Sequence, residues 1–479
     1  MAEITFSGLA SGMATDDIIT KLMAIERRPL DRLQTVKTNE ANRLAAYGQL
    51  NTLLQKLKDS VGAMNLTSGA NPTKAESGNN GVFTATSNGG VVGSYNISVS
   101  QLAQVQKSVS GGYASANEAV FGSGTLTVNG QTITIGEGNN SLAGIAQAIN
   151  SASNQTGVSA SIINDGSGGA TAYRLVLTGK DAATNFTVTS DLQDASNVAI
   201  PFAVTTTQNA QQAKLNIDGV DVVSNSNTVT GVIAGVTLNL TGVSQNTGTA
   251  DAPQYQKTSL NVTADTSALK EKITAFVSAY NEVMNWVKSA YDDQSKKQTN
   301  TASNSSSSTT TTNTDDNLSA MLRGDATVNS IKRGLQSILG NAVGDGAFKV
   351  LSQIGIGTNR DGGLTVDNAK LDKALNENFS SVAELLAGNG STDGVMKQFN
   401  SYLLRTTSVS SGMYAEKQAR YKDKVATLDR QIDQKTLALD KREAQLYARF
   451  NAMEKLISNM NSMSGYISQL SALSTQKTK

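Results

Sequence analysis

The sequence predicts an α+β multidomain protein in which discontinuous terminal helices form a coiled coil or helix bundle and enclose two inserted β-rich domains. Three observations carry this. Charge is unevenly distributed: residues 76–263 hold 15 charged side chains, five basic and ten acidic, among Gly, Ser, Thr, Asn and Val, whereas residues 416–449 hold 15 within 34 positions. Apolar residues of the end segments recur three and four apart, the helical period, while those of the middle alternate in steps of two. Finally, the middle carries an Asn-Gly flanked by alternating apolar residues, the strongest short hairpin signal.

The N-terminal segment 15–66 reads as helix. Thr15, followed by Asp16 and Asp17, is expected to cap it, and Ile18, Leu22 and Ile25 present one apolar face. Pro29 is expected to end or kink this helix, because it lacks an N–H and disfavours helical geometry at Arg28. Beyond it Tyr47, Leu50, Leu54, Leu57, Val61 and Met64 alternate three and four apart. That spacing fits a coiled-coil seam and, equally, a helix lying on the core of its own domain.

In the middle, Thr125–Ile135 reads as a hairpin about Asn129-Gly130, Ser141–Asn150 as a short amphipathic helix, and Val158–Ile163 and Tyr173–Leu177 as strands. A related phrase, Leu215-Asn216-Ile217-Asp218-Gly219, shares the form Leu-x-(Val/Ile)-(Asn/Asp)-Gly and implies two related β modules. Residues 294–317 are Ser/Thr-rich and nearly free of apolar side chains, and are expected to form a mobile surface loop. Helix-like segments flank it at Ala268–Ala290 and Asn317–Leu339.

The C-terminal segment is the most regular. Val425, Ile432, Leu439, Leu446, Met453, Met460 and Ile467 recur every seven residues. Their companions are mixed: Leu428, Leu456, Met463 and Leu470 are apolar, whereas Lys435, Arg442 and Arg449 are not. A helix over 416–472 is about 85 Å long at 1.5 Å per residue and needs a partner for its stripe. The expected assembly seam therefore comprises Leu22, Ile25, Tyr47, Leu50, Leu54 and Leu57 together with the seven residues from Val425 to Ile467.

Composition removes much of enzymology. Among 479 residues there is no cysteine and no histidine. Disulfides, Cys-ligated zinc, thiol nucleophiles and the Ser-His-Asp triad are therefore excluded. The Gly355–Gly363 stretch lacks the Gly-Lys-Ser/Thr ending of a phosphate loop and is expected to be a turn between two short strands. Asp361 and Asp367 do not fit a calcium loop, because Gly363 and Thr365 occupy ligand positions. No catalytic, cofactor or metal constellation is expected, and hence no enzyme. The balance of 40 basic and 39 acidic residues argues against a nucleic-acid partner. No run of 18 apolar residues suggests a membrane span, and the opening MAEITFSGLASG has neither the basic nor the apolar region of a cleaved signal.

That opening resembles a known family. Phe6-Ser7-Gly8-Leu9-Ala10-Ser11-Gly12-Met13, followed by Ile18-Ile19, Leu22-Met23, Glu26, Pro29-Leu30 and Ala46-Tyr47, is similar to the start of the bacterial flagellar filament cap (hook-associated protein 2) family. The phrase over Gly124–Ile163 is similar to a motif of the outer domains of flagellins and caps. Ile354–Asp367 with Leu371, Leu375, Val382 and Leu385-Leu386 resembles the family's C-terminal block, and Met453–Ser462 its terminal helix.

The resemblance implies a leg of terminal helices (1–45 and 416–479), a helical leg domain (46–75 and 264–415), a β-rich head domain (76–106 and 210–263) and a second inserted head domain (107–209). It implies a homo-oligomeric ring, expected to be a pentamer, at the distal tip of the filament. Such a ring promotes insertion and folding of exported flagellin and stops its leakage. Type III export without a cleaved signal, a cytoplasmic export chaperone and the hook–filament junction proteins are implied as well, with no cofactor. Three alternatives stand beside it, of which an enzyme acting through Asp, Glu or Ser, such as a glycosidase that remodels peptidoglycan, is disfavoured by the missing histidine and the absence of any motif. The Gly/Thr/Asn/Val texture of 76–263 also suits a surface adhesin for mucin or host glycans. A flagellin is a nearer rival, against which the Gly-Leu-Ala-Ser-Gly-Met opening argues.

Overall fold

The computed structural model describes residues 14–193, 198, 202–290, 318–344 and 346–475. The Ser/Thr-rich segment 294–317 and the Phe6–Met13 opening lie outside them. In chain order the elements begin with helices α1 (Thr15–Gly62) and α2 (Thr67–Ala70). Strands β1 (Thr73–Ser77), β2 (Phe83–Ser87), β3 (Gly93–Gln101), β4 (Lys107–Tyr113), β5 (Gly124–Val128) and β6 (Gln131–Ile135) follow. Helices α3 (Leu142–Ser151) and α4 (Ser153–Thr156) precede β7 (Val158–Asn164), β8 (Tyr173–Gly179), β9 (Val188–Ser190) and β10 (Val204–Gln208). The β region continues through β11 (Ala213–Ile217), β12 (Val220–Ser224), β13 (Thr228–Ile233), β14 (Val236–Leu240) and β15 (Thr258–Ala264). Then come α5 (Thr266–Ser289), α6 (Ala326–Gly340), β16 (Ile356–Thr358), β17 (Leu364–Val366), α7 (Asn368–Glu377), α8 (Phe379–Ala387), α9 (Val395–Thr406) and α10 (Met413–Thr475). The architecture is α+β, with helices at both ends and strands between.

The chain divides into two compact units: Met1–Leu66 with Glu271–Ala374 and Ser381–Lys479, and Thr67–Lys270 with Leu375–Ser380. In the helical unit, α1 lies against both α10 and α9. Its core includes an aromatic cluster: Phe276 meets Phe399 edge-on at 5.4 Å, and Tyr280 meets the same ring at 6.3 Å. Edge-to-face pairs of this kind add about 0.5–1.5 kcal/mol beyond the area they bury. The glycine-rich stretch expected to be a turn is the β16–β17 hairpin. Asn281 clips it by exchanging two hydrogen bonds with the Leu364 backbone, at 2.7 and 2.9 Å.

Pro29 does not end α1, which runs unbroken from Thr15 to Gly62. The ring removes only the backbone bond that Ile25 would accept, and both residues are exposed, where water can solvate that carbonyl. The expected cap also shifts: Thr15 is the first helical residue and is buried, and Ala14 stands at the cap position without a side-chain bond.

The β unit holds two hydrophobic cores. One gathers Phe83, Ile97, Val99, Leu215, Ile217, Leu238 and Leu260 under a five-stranded sheet of order β1-β15-β3-β11-β12 and a three-stranded sheet β13-β14-β2. The other gathers Leu126, Val128, Ile145, Ile149, Leu175, Leu177 and Phe202 under a four-stranded sheet β10-β4-β8-β7 and a three-stranded sheet β6-β5-β9. Helix α3 fills the second core, with Ser141 capping it by accepting the Gly144 N–H at 3.0 Å. The two similar sequence phrases fall one in each core, at β5–β6 and β11–β12. Asn129 and Gly130 have φ of 50° and 82°, and Asp218 and Gly219 have 47° and 95°. Two successive left-handed residues are what a two-residue type I′ hairpin requires, and so each phrase carries Asn or Asp before Gly.

Candidate assembly surface

Among the described residues no group of three Asp or Glu side chains could hold a metal ion, and no helix is long and apolar enough to cross a membrane. What the helical unit offers is the seam between its two long helices.

Cross-helix pairs fix the direction of that seam. Glu26 faces Arg442 at 3.7 Å, Lys37 faces Asp429 at 2.5 Å, Glu40 faces Lys424, and Lys417 sits 4.6 Å over the Tyr47 ring. As numbers rise along α1 they fall along α10, so the two helices are antiparallel. Beneath the charges, Ile19, Met23, Leu439 and Leu446 form a buried cluster, flanked by Leu30, Tyr447 and Phe450. Each buried side chain contributes about 1.5–3 kcal/mol. The ion pairs are partly exposed and screened by solvent, so apolar packing holds the seam and charge sets its register.

The expected seam residues fall into three groups. Tyr47, Leu50, Leu54 and Leu57 are buried in the helical unit, on the stretch of α1 that runs onward from the point where Tyr47 meets the start of α10. Leu439 and Leu446 are buried in the α1–α10 seam, and Val425, Ile432 and Met453 are half-buried along the same helix. Leu22 and Ile25 are 41% and 59% exposed, and Met460 and Ile467 are 58% and 63% exposed. With Leu456, Met463 and Leu470, the last two make an exposed stripe spaced four, three, four and three along α10. Its companion positions are apolar, whereas the stretch that faces α1 carries Lys435, Arg442 and Arg449 there.

Sequence reasoning missed Ile19 and Met23. They follow Ile18 and Leu22 directly, and a period of 3.6 accepts either member of such doublets. It also missed Asp325, which caps α6 by accepting the Thr327 N–H at 2.8 Å and the Val328 N–H at 3.2 Å. Its other oxygen accepts the Tyr47 hydroxyl at 2.5 Å, with Arg43 at 3.8 Å. Burial works to raise the Asp325 carboxyl, but the Tyr47 hydroxyl and the two helix N–H groups outweigh it and hold the group below its ordinary range. Burial, followed by the bond to Asp325, pushes the Tyr47 phenol well above its usual value.

The chain is similar to known proteins. The family model for the flagellar hook-associated protein 2 C-terminus matches residues 210–462, and that for its N-terminus matches residues 11–106. The flagellin hook IN motif matches residues 125–181. Flagellar hook-associated protein 2 of Escherichia coli (strain K12) is 29% identical, with 98% of each chain covered. The A-type flagellar hook-associated protein 2 of Pseudomonas aeruginosa is 26% identical over 97% of this chain and 96% of that one. The crystal structure of the D1-D2-D3 domains of the Escherichia coli flagellar cap protein FliD superposes with a TM-score of 0.59 at 29% identity, covering 79% of this chain and 99% of that one.

Proposed function

The chain belongs to the flagellar hook-associated protein 2 family, and we propose that it is a filament cap. It forms a ring of its own copies at the distal tip of the filament. There it promotes insertion and folding of exported flagellin, prevents flagellin leakage and is required for elongation. The carrying observation is the likeness to the E. coli relative over 98% of both chains, joined to a fold that superposes on a flagellar cap protein.

The chemistry of the chain supports a role in assembly rather than in catalysis. Without histidine or cysteine it has few groups for proton transfer or nucleophilic attack near neutral pH. It has instead a long helix whose final stripe, Met460 and Ile467 included, lies open at one end of a closed seam. We assign that stripe, with Leu22 and Ile25, to contacts with neighbouring subunits. Tyr47, Leu50, Leu54, Leu57, Val425, Ile432, Leu439, Leu446 and Met453 hold the helices that present it. The segments 1–45 and 416–479 act as the leg, 46–75 and 264–415 as its supporting domain, and 76–106 with 210–263 and 107–209 as the two parts of the head. The ring is a pentamer, and its partners are flagellin, the hook–filament junction proteins and a cytoplasmic export chaperone.

Complementation tests this reading. A strain that lacks its own cap and expresses this chain with a matching flagellin is expected to grow full-length filaments and to stop shedding flagellin. Continued shedding, with the chain exported and stable, would overturn it.

A further inference from the structure

We propose that neighbouring copies of this chain join through the two edges of its four-stranded sheet, with β7 of one copy adding beside β10 of the next. The inference rests on the ring reading above and names the surface that closes the ring.

Among the described residues β7 pairs only with β8, and β10 only with β4, so these are the two edges of one sheet. Edge strands expose backbone donors and acceptors and are usually guarded by charge, proline or a covering segment. The five-stranded sheet follows that rule, with Lys74 and Glu76 on β1 and Asp221 on β12; the outer strands of the two three-stranded sheets, β2, β6, β9 and β13, are uncharged but short, at 3 to 6 residues. Neither β7 (VSASIIN) nor β10 (VTTTQ) carries a charge or a proline. Strand β7 is also seven residues long and pairs with β8 without a register shift.

The first half of β7 is closed by the chain's own side chains. The Val158 N–H donates to Thr156 Oγ1 at 3.2 Å. The Asn150 amide grips Ala160 from both sides, accepting its N–H and donating to its carbonyl, each at 2.8 Å. These bonds show that alternate residues 158 and 160 point their backbone groups away from β8. The antiparallel pattern therefore aims those of Ile162 and Asn164 the same way. Among the described residues nothing bonds them, and the Ile163 side chain beside them is 55% exposed.

The occupant is a second copy, and its β10 is the fitting strand. The bare stretch Ile162–Asn164 is three residues long. On β10, Val204–Thr206 is likewise a regular three-residue run before the register shifts at Gln208. Pairing β7 with β7 would be self-complementary and stop at two chains. Pairing opposite edges of one sheet is heterologous and propagates, as ring closure requires.

The test uses the full-length chain, with mass read by sedimentation and light scattering. Ile163→Lys and Thr205→Lys each place a charge on an exposed edge position, and Asn164→Pro removes one outward N–H at the end of β7. Unchanged circular dichroism and melting verify folding. Each variant alone is expected to fall from the ring to the 50.0 kDa monomer. An equimolar mixture of Ile163→Lys and Thr205→Lys retains one sound junction per pair and is expected to give dimers and nothing larger. Folded edge variants that all keep the ring mass overturn the proposal and leave the cap reading intact. A Thr205→Lys chain that still assembles while Ile163→Lys does not shows β7 joining elsewhere and also overturns it. A wild-type chain that stays monomeric at working concentration overturns the ring itself.

Discussion

Tyr47 donates its phenolic hydrogen to Asp325 across 2.5 Å, joining residues 278 positions apart. The bond ties the middle of α1 to the first turn of α6. Asp325 already caps that helix through two backbone N–H groups, so one carboxylate serves three donors. The same Tyr47 ring carries Lys417 on its face, which brings the start of α10 to this point.

Asp325→Ala removes a helix cap and leaves the Tyr47 hydroxyl without its acceptor. The cap contributes about 1 kcal/mol and the hydroxyl bond about another, so a loss of about 1–3 kcal/mol is expected. Tyr47→Phe should cost about 1 kcal/mol, and the double variant less than the sum, because both remove the same bond. Trp286 is the chain's one tryptophan and bonds Gln49 of α1 at 3.3 Å. Urea unfolding followed by its fluorescence therefore reads the helical unit. Fully additive losses would show that the two residues act independently.

The pH dependence has a definite sign. The folded-state pKa of Asp325 lies below its ordinary value of 3.8, so its ionised form is favoured by folding. The stability it contributes is fully present above that value and is lost as the pH falls through the lower folded one. Tyr47 titrates in the opposite sense. Its neutral form is favoured, so its contribution is present below pH 10.0 and is lost as the pH rises through the raised folded value. Asp325→Asn should therefore flatten the acid limb of the stability profile measured by Trp286 fluorescence. An acid limb as steep as in the wild type would assign it to other carboxylates.

Packing and assembly should separate along α10. Leu446→Ala opens the buried seam and is expected to destabilise the helical unit by about 2–3 kcal/mol. Met460→Ser and Ile467→Ser alter exposed positions and should change stability by no more than about 0.5 kcal/mol, yet shorten filaments in complemented cells. Melting curves and filament lengths measured on the same three variants make the comparison. Full-length filaments from the two serine variants would remove Met460 and Ile467 from the assembly surface.

Local rules read much of this fold directly. Both Asn/Asp-Gly hairpins, the α3 helix capped by Ser141 and the heptad stripe of α10 follow from spacing and turn chemistry within a few residues. Two kinds of feature were hidden. Pro29 carries a strong local breaking signal, but α10 packs alongside α1 at Ile19, Met23 and Leu30 on either side of it, and the helix continues. Partner choice is the other. The doublets Ile18-Ile19 and Leu22-Met23 leave the facing side ambiguous, and only the presence of α10 selects Ile19 and Met23. Asp325 was readable as a cap, while its bond to Tyr47 is a tertiary fact. The exposed ends of the stripe were legible as helix and silent about what they meet.

The central claim is that the terminal helix makes this chain a working cap. Filament length by electron microscopy, in a cap-deficient strain expressing the chain without residues 416–479, tests it most directly. The account predicts no filament growth, with flagellin shed into the medium and the truncated chain exported with its β unit folded. Filaments of normal length from that strain would contradict it.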